Sequence, residues 1–314
     1  MTPEALFALG WNRFVLDPSD EALAALLRAA EPFPGAVVEL AKGAVTSERV
    51  PERVAGVLLL GHLLPEDVAW EDLWEDPEPS VRDAILHGVG DVVIPAVVVA
   101  AASDPVPELR ARSCRLLPAV PGGVSLLVDR LDDPVATVVE SAIDALLICD
   151  PAEVLGMVLD REPSRTRLVL LERMSEVSPG AVLDACSGLP AEVRSHLLSQ
   201  VIGREMRAEL ARRLRLHRAT DRLAALRTLG EVGAEGVGDA VTAALRDPSP
   251  EVREVAAHVV AAQRLTSALD ELKRTFATDP DLRVAGAAGD ALRTLLSAEG
   301  EGSTMGPDVP KEDI

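Results

Sequence analysis

The feature that most constrains this chain is a heptapeptide that recurs at a fixed period. Residues 76–82 read DPEPSVR, 104–110 read DPVPELR and 247–253 read DPSPEVR, all fitting Asp-Pro-x-Pro-x-(Val/Leu)-Arg. The first two copies start 28 residues apart, and the third starts 143 residues after the second, close to five such periods. Aligning the apolar residue of the motif gives ten rungs: Leu23, Val54, Val81, Leu109, Val138, Leu168, Val193, Leu223, Val252 and Leu282. Successive gaps run from 25 to 31 residues. Regularity of this kind marks an array of stacked units, each unable to bury its apolar face without its neighbours.

Each rung has the same local physics. Asp-Pro-x-Pro cannot lie inside a helix, because proline lacks the N–H and disfavours helical geometry in the residue before it. The motif is therefore a linker, and its Asp or a following Ser is expected to cap the next helix. A first helix follows, as in Val252, Val255, Ala256, Val259 and Val260, or Val81, Ala84, Ile85 and Val89, all at helical spacing. A turn then intervenes at Gly88–Gly90, Pro121–Gly123, Pro179–Gly180 and Gly233–Gly238, and a second apolar helix comes after it, such as Val92–Ala102, Val124–Leu131 or Val237–Leu245. No segment alternates with period two, so no sheet is expected. Aromatic residues are only 2% of the chain, so the core must be built from Ala, Val and Leu, which suits helices packed close together.

These residues resemble HEAT-like repeats, in the short variety found in phycobilisome-lyase-type proteins and many bacterial adaptors. The shared features are the Asp-Pro linker, the (Val/Leu)-Arg that opens the first helix, and an Ala-rich helix ending at Gly. The period of about 29 is shorter than the roughly 40–47 of long HEAT and armadillo units. The resemblance implies an all-α fold, an α-solenoid forming a right-handed superhelix of about ten helix pairs. It covers residues 17–297. Residues 1–16, with Phe7, Trp11 and Phe14, are expected to cap the solenoid at its N-terminus, so that the domain spans 1–297. Residues 298–314, rich in Gly, Pro and acids, read as a disordered acidic tail. The resemblance further implies a ladder of bonds between neighbouring repeats, carried here by Asp76 with Arg82, Asp104 with Arg110, and Asp247 with Arg253. Near Val138, Leu168 and Leu223 one or both members are missing, which predicts an interrupted ladder.

Charge narrows the function classes. The formal net charge is −20, from 51 acidic and 31 basic side chains, a field that repels phosphate backbones and anionic membranes. The longest apolar stretch, Val92–Ala102, contains Pro95 and is too short to span a bilayer. The start, Met1-Thr2-Pro3-Glu4, lacks the basic and apolar regions of a signal peptide. Three cysteines, Cys114, Cys149 and Cys186, fit a reduced cytoplasmic interior better than a disulfide framework. The histidines at 62, 87, 196, 217 and 258 stand singly, without the His-Glu pairs that HEAT-like metal hydroxylases need. The glycines from Gly230 to Gly238 follow no strand and match no phosphate-binding fingerprint, so they read as an inter-helix turn. No cofactor motif is legible.

Two segments are candidate partner-binding surfaces. Residues 66–78 hold seven acids and no base; Trp70, Leu73 and Trp74 share one helical face, with Glu71 and Glu75 among the acids beside it. This reads either as core tryptophans behind a solvated acidic face or as an acidic, aromatic-edged groove for a basic peptide. Residues 204–227 reverse the sign, with eight Arg against three acids. Arg204, Arg207, Arg215 and Arg218 are expected along one flank, and Glu209 and Arg213 are spaced for an i,i+4 pair. That is either a salt-laced helix surface or an anion contact; four aligned Arg fall short of the roughly 6–10 phosphate contacts of a useful DNA binder. The reading reached is a non-enzymatic scaffold or adaptor that binds a protein partner on its concave face. The alternatives are a HEAT-like lyase or enzyme accessory subunit, and a nucleic-acid-binding HEAT-like protein of the DNA-glycosylase kind, which the charge disfavours.

Overall fold

The computed structural model describes residues 3–31, 34–63, 68–88 and 94–302. Gly90 and the start of the helix expected at Val92, the acids Glu66 and Asp67, and residues 303–314 of the expected tail lie outside the described residues. Among the described residues the chain is all-α, and it divides into two compact units, residues 1–162 and 163–314.

The first unit opens with α1 (Pro3–Leu16), α2 (Asp20–Ala30), α3 (Pro34–Ala44) and α4 (Val50–Leu63). It continues through α5 (Trp70–Trp74), α6 (Pro79–Gly88), α7 (Pro95–Ala101) and α8 (Pro107–Leu116), and closes with α9 (Gly123–Arg130), α10 (Ala136–Leu146) and α11 (Pro151–Leu159). The second unit contains α12 (Arg165–Val177), α13 (Pro179–Ser187), α14 (Ala191–Val201), α15 (Arg204–Arg213) and α16 (Ala219–Val232). After these come α17 (Gly238–Ala244), α18 (Pro250–Ala262), α19 (Leu269–Thr278) and α20 (Leu282–Gly302). Among the described residues, twenty α-helices make an α-solenoid of helix pairs. In the first unit α4, α6, α8 and α10 pack in succession as one layer, and α5 against α7 and α9 against α11 form the other. In the second unit α12, α14, α16, α18 and α20 pack in succession, with α13 against α15 beside them.

The second proline of each linker starts a helix, at Pro79, Pro107 and Pro250. It occupies a position whose N–H would have no partner in any case, and its fixed φ suits the first turn. The linker aspartate does not cap that helix. Its Oδ1 accepts the backbone N–H two residues on, from Glu78, Val106 and Ser249, folding the linker into a local turn. The core between the layers is aliphatic: Ile85, Leu109, Leu127, Val138, Leu146, Val252 and Val260 are at most 2% exposed. Each such side chain contributes roughly 1.5–3 kcal/mol on burial. The two largest fully buried side chains, Phe14 and Trp70, belong to the core cluster of the first unit, against which Phe7 and Trp11 also pack.

Consecutive pairs are clasped by arginine. The Arg82 Nε and Nη2 donate to the two carboxylate oxygens of Asp104 at 2.8 and 3.1 Å, and its Nη1 donates to the carbonyl of Asp76 at 2.8 Å. Arg110 does the same toward Asp133 (2.8 and 2.9 Å) and the Asp104 carbonyl (2.8 Å). Arg253 does so toward Asp279 (2.7 and 2.9 Å) and the Asp247 carbonyl (2.8 Å). Each guanidinium thus joins two successive linkers. Within one motif the arginine reaches only backbone carbonyls, that of the aspartate and, for Arg110 and Arg253, that of the proline after it; its charge partner is the aspartate of the next motif. The fork geometry explains why the residue is arginine, since five donors in a plane serve a carboxylate and a carbonyl at once.

Two members escaped the motif alignment. Arg53 holds Asp76 at 2.8 and 3.2 Å, and Arg222 holds Asp247 at 2.7 and 2.8 Å while donating to the carbonyls of Leu216 and His217. The interruption expected near Leu223 is therefore corrected, because the arginine stands one residue before the aligned leucine instead of one after it. The alignment also slips at other degenerate copies: Val193 is 52% and Leu282 is 87% exposed, whereas Val284 is fully buried.

Candidate functional site

The acidic segment of the first unit does not carry an aromatic edge. Trp70 is 1% and Trp74 is 8% exposed, both within the core cluster with Val81, Ile85 and Leu109. The groove expected at Trp70, Glu71, Trp74 and Glu75 is corrected on this point. α5 is a five-residue helix packed on α6 and α7, so residues four apart both turn inward and little of the two tryptophans reaches solvent. Glu71, Asp72 and Glu75 remain exposed as a solvated acidic face.

The arginine cluster of the second unit is laid out differently from expectation. Arg204 and Arg207 lie on α15, which ends at Arg213, so Arg215 and Arg218 fall in the turn before α16 and share no helical flank with them. Arg204, Arg215 and Arg218 are exposed, and among the described residues none pairs with a carboxylate; Arg207 reaches Glu235 only at 3.9 Å. The i,i+4 contact between Glu209 and Arg213 is present at 3.1 Å. Glu209 also takes two bonds from Arg212, at 2.6 and 2.7 Å, and hydrogen bonds from these guanidinium groups hold its carboxyl below the usual range. Arg213 in turn reaches Asp184 at 2.8 Å and the Gly180 carbonyl at 3.0 Å, which ties α15 to α13.

Beside this network lies a cavity of about 620 Å³ among α13, α14, α15 and α16. Its floor is apolar, from Leu183, Leu198 and Leu210, and its walls carry Arg194, Arg212, Arg213 and Arg227 with Asp184 and Asp221. Sequence reasoning named none of these wall arginines as a site, although three of them fall inside or at the edge of the 204–227 run. The run is visible in the chain, but the gap between helices is not.

Other reactive groups are placed structurally. All five histidines are exposed. Cys114 and Cys186 are buried, and burial pushes both thiols up to about 11, far from the thiolate a nucleophile needs. Among the described residues no group of His, Cys, Asp and Glu is placed to hold a metal ion, and no helix is long and apolar enough to cross a membrane.

Comparison with known proteins bears on the repeats. The model of HEAT repeats matches residues 209–293, and that of the HEAT repeat associated with sister chromatid cohesion matches residues 75–86. No curated protein matches the chain. Among solved structures, human deoxyhypusine hydroxylase in complex with glycerol is 18% identical, covering 94% of this chain and 97% of its own, with a TM-score of 0.32. An engineered protein is 19% identical over 88% of this chain and 71% of its own, with a TM-score of 0.30. A mutant of Kap121p is 15% identical over 93% of this chain and 39% of its own, with a TM-score of 0.32. Residues 209–293 thus match HEAT repeats, and the described residues on either side share the same helix-pair architecture.

Proposed function

We propose that the chain is a non-enzymatic scaffold that binds a protein partner across the exposed faces of its helix pairs. The observation that carries this reading is the use of the polar side chains. The buried arginines and aspartates are spent on clasping one helix pair to the next, as in Arg82 with Asp104 and Arg253 with Asp279. A body built this way is a preorganised surface, and a partner that docks on it has little ordering to impose on it. The charge is unevenly divided, and the first unit is much the more acidic: residues 1–162 carry 28 acids and 11 bases, residues 163–314 carry 23 and 20. The acidic face at Glu71 and Glu75 suits a basic segment of such a partner.

Affinity capture from the source cells, with crosslinking and mass spectrometry, tests the reading. The expected result is a stoichiometric protein whose crosslinks map to exposed helix faces. Retention of nothing beyond a tag-only control, or of a visible chromophore in place of a protein, would contradict it.

A further inference from the structure

The cavity among α13–α16 has a sequence cause. Between Pro151 and Asp247 the chain contains no Asp-Pro linker, and the helices there are less apolar. Only Leu198 and Val201 of α14 are buried, against Val252, Ala256, Ala257, Val259 and Val260 of α18. Where other first helices offer a continuous apolar stripe, α14 offers Arg194 and Ser195, which turn instead to Glu231 at 3.1 and 2.9 Å. On the facing side α16 presents Ala224, which is exposed and too small to fill the gap. The result is an open space of about 620 Å³, within the roughly 300–1,000 Å³ of ordinary ligand clefts.

The lining divides by chemistry. The floor leucines are at most 6% exposed, so apolar contact comes from half-buried Leu216 and exposed Ala224, and the wall arginines differ in how far they are satisfied. Arg213 is held at three points by Glu209, Asp184 and the Gly180 carbonyl, and Arg212 by two bonds to Glu209. Arg227 is exposed and, among the described residues, has no carboxylate partner. Nor have Arg215 and Arg218, which flank the cavity-lining Leu216 in sequence. The opposing unpaired acid on the wall is Asp221. Unsatisfied positive charge thus gathers at this cleft on a chain whose net charge is −20. The rest of the acidic body is screened beyond about 8 Å at physiological ionic strength, so an anion close to the rim feels the local arginines.

We infer that this cleft is the docking site for an acidic amphipathic peptide segment of a protein partner, its leucine-type side chains against Leu216 and Ala224 above the buried leucine floor and its carboxylates at Arg227. Asp221 adds selectivity, because it accepts a backbone N–H or hydroxyl and repels a carboxylate placed at that end. The inference rests on the scaffold reading above and names the chemistry of the partner's contact element.

The probe is a short fluorescent peptide alternating leucine pairs with glutamates, read by anisotropy against the full chain. Its lysine-for-glutamate and serine-for-leucine counterparts are measured alongside. Arg227→Glu removes an unpaired exposed charge, Ala224→Trp fills the cleft from an exposed position, and Arg293→Glu on α20 changes the same charge away from the cleft. The leucine–glutamate peptide is expected to bind and the other two are not. Arg227→Glu weakens binding about tenfold or more, at least the loss of one charge-assisted hydrogen bond, and Ala224→Trp weakens it by occupying the cleft, while Arg293→Glu leaves it unchanged. Equal binding of the lysine peptide, or wild-type affinity in both cleft variants, would overturn the inference. Capture from source cells separates this failure from failure of the scaffold reading. A partner retained equally by wild type and Ala224→Trp removes the cleft and leaves the scaffold; peptide binding without any captured protein removes the scaffold and leaves the cleft.

Discussion

Replacing Asp104 by alanine strips the counter-charge from Arg82 while leaving the guanidinium where it is. The two side chains are 10% and 2% exposed, and Asp104 also accepts the N–H of Val106. An ion pair this deep loses about 3–5 kcal/mol when one partner is removed, because the other is left charged in a poorly solvated place. The Asp83–Arg112 pair is the internal reference. It has nearly the same length, 2.9 Å, and lies in the same unit, but its side chains are 42% and 41% exposed. Removing Asp83 should cost less than about 1 kcal/mol. Urea unfolding followed by far-ultraviolet circular dichroism measures both, and the comparison is valid where the m-values agree. The double variant Arg82→Met with Asp104→Leu should recover much of the loss, because no charge is then stranded. Should Asp104→Ala prove no more costly than Asp83→Ala, the clasps would be ornaments of the surface and the reasoning would fail.

Acid provides a second test. The carboxyl of Glu271 is held down to about 2, chiefly by its hydrogen bond from Arg246, with Arg274 adding to it and burial opposing. A carboxylate lowered in the folded state stabilises above its unfolded value and loses that contribution as pH falls through the folded one. Stability should therefore decline from about pH 5 toward pH 2, and Glu271→Gln should flatten that slope; an unchanged acid titration would contradict the assignment. Glycines separate close approach from mere flexibility. A Cβ on Gly61 would lie 2.8 Å from the Gly88 carbonyl oxygen, whereas one on Gly156 meets nothing within 4 Å. Gly61→Ala should destabilise, and Gly156→Ala should stabilise by roughly 0.5–1 kcal/mol, both read by thermal unfolding. Maleimide labelling of the native chain should modify the part-exposed Cys149 first and reach Cys114 and Cys186 only on unfolding. Equal labelling rates for the three would count against the packing described.

The repeat was legible because prolines write the linkers directly into the sequence, and helical spacing at Val81, Ala84 and Ile85 fixed which face turns inward. Register was lost where the linker decays. At the last copy Leu282 occupies the aligned position, yet it precedes the first buried turn, and Val284 takes the core place. The clasps were only half visible. Searching for Asp followed by Arg six residues later finds Arg82, Arg110 and Arg253, but the physical pair is an arginine and the aspartate 22–26 residues after it. That spacing would have exposed Arg53 with Asp76 and Arg222 with Asp247. The tryptophans were ambiguous for a simple reason: a helix pattern gives the side on which Trp70 and Trp74 lie, but not how short the helix is or what covers it. The cleft could not be read at all, since it arises from what α14 and α16 fail to fill between them.

Mutual burial holds the array together, with each helix pair depending on the pairs beside it. The most direct measurement is circular dichroism of the excised pair spanning residues 104–132, which contains α8 and α9, ten and eight residues long. Helices of that length are marginal alone, and the clasp from Arg110 would have lost Asp133. The peptide is predicted to be largely unfolded in water while the same segment is helical in the intact chain. A cooperative thermal melt from the isolated pair would contradict the account.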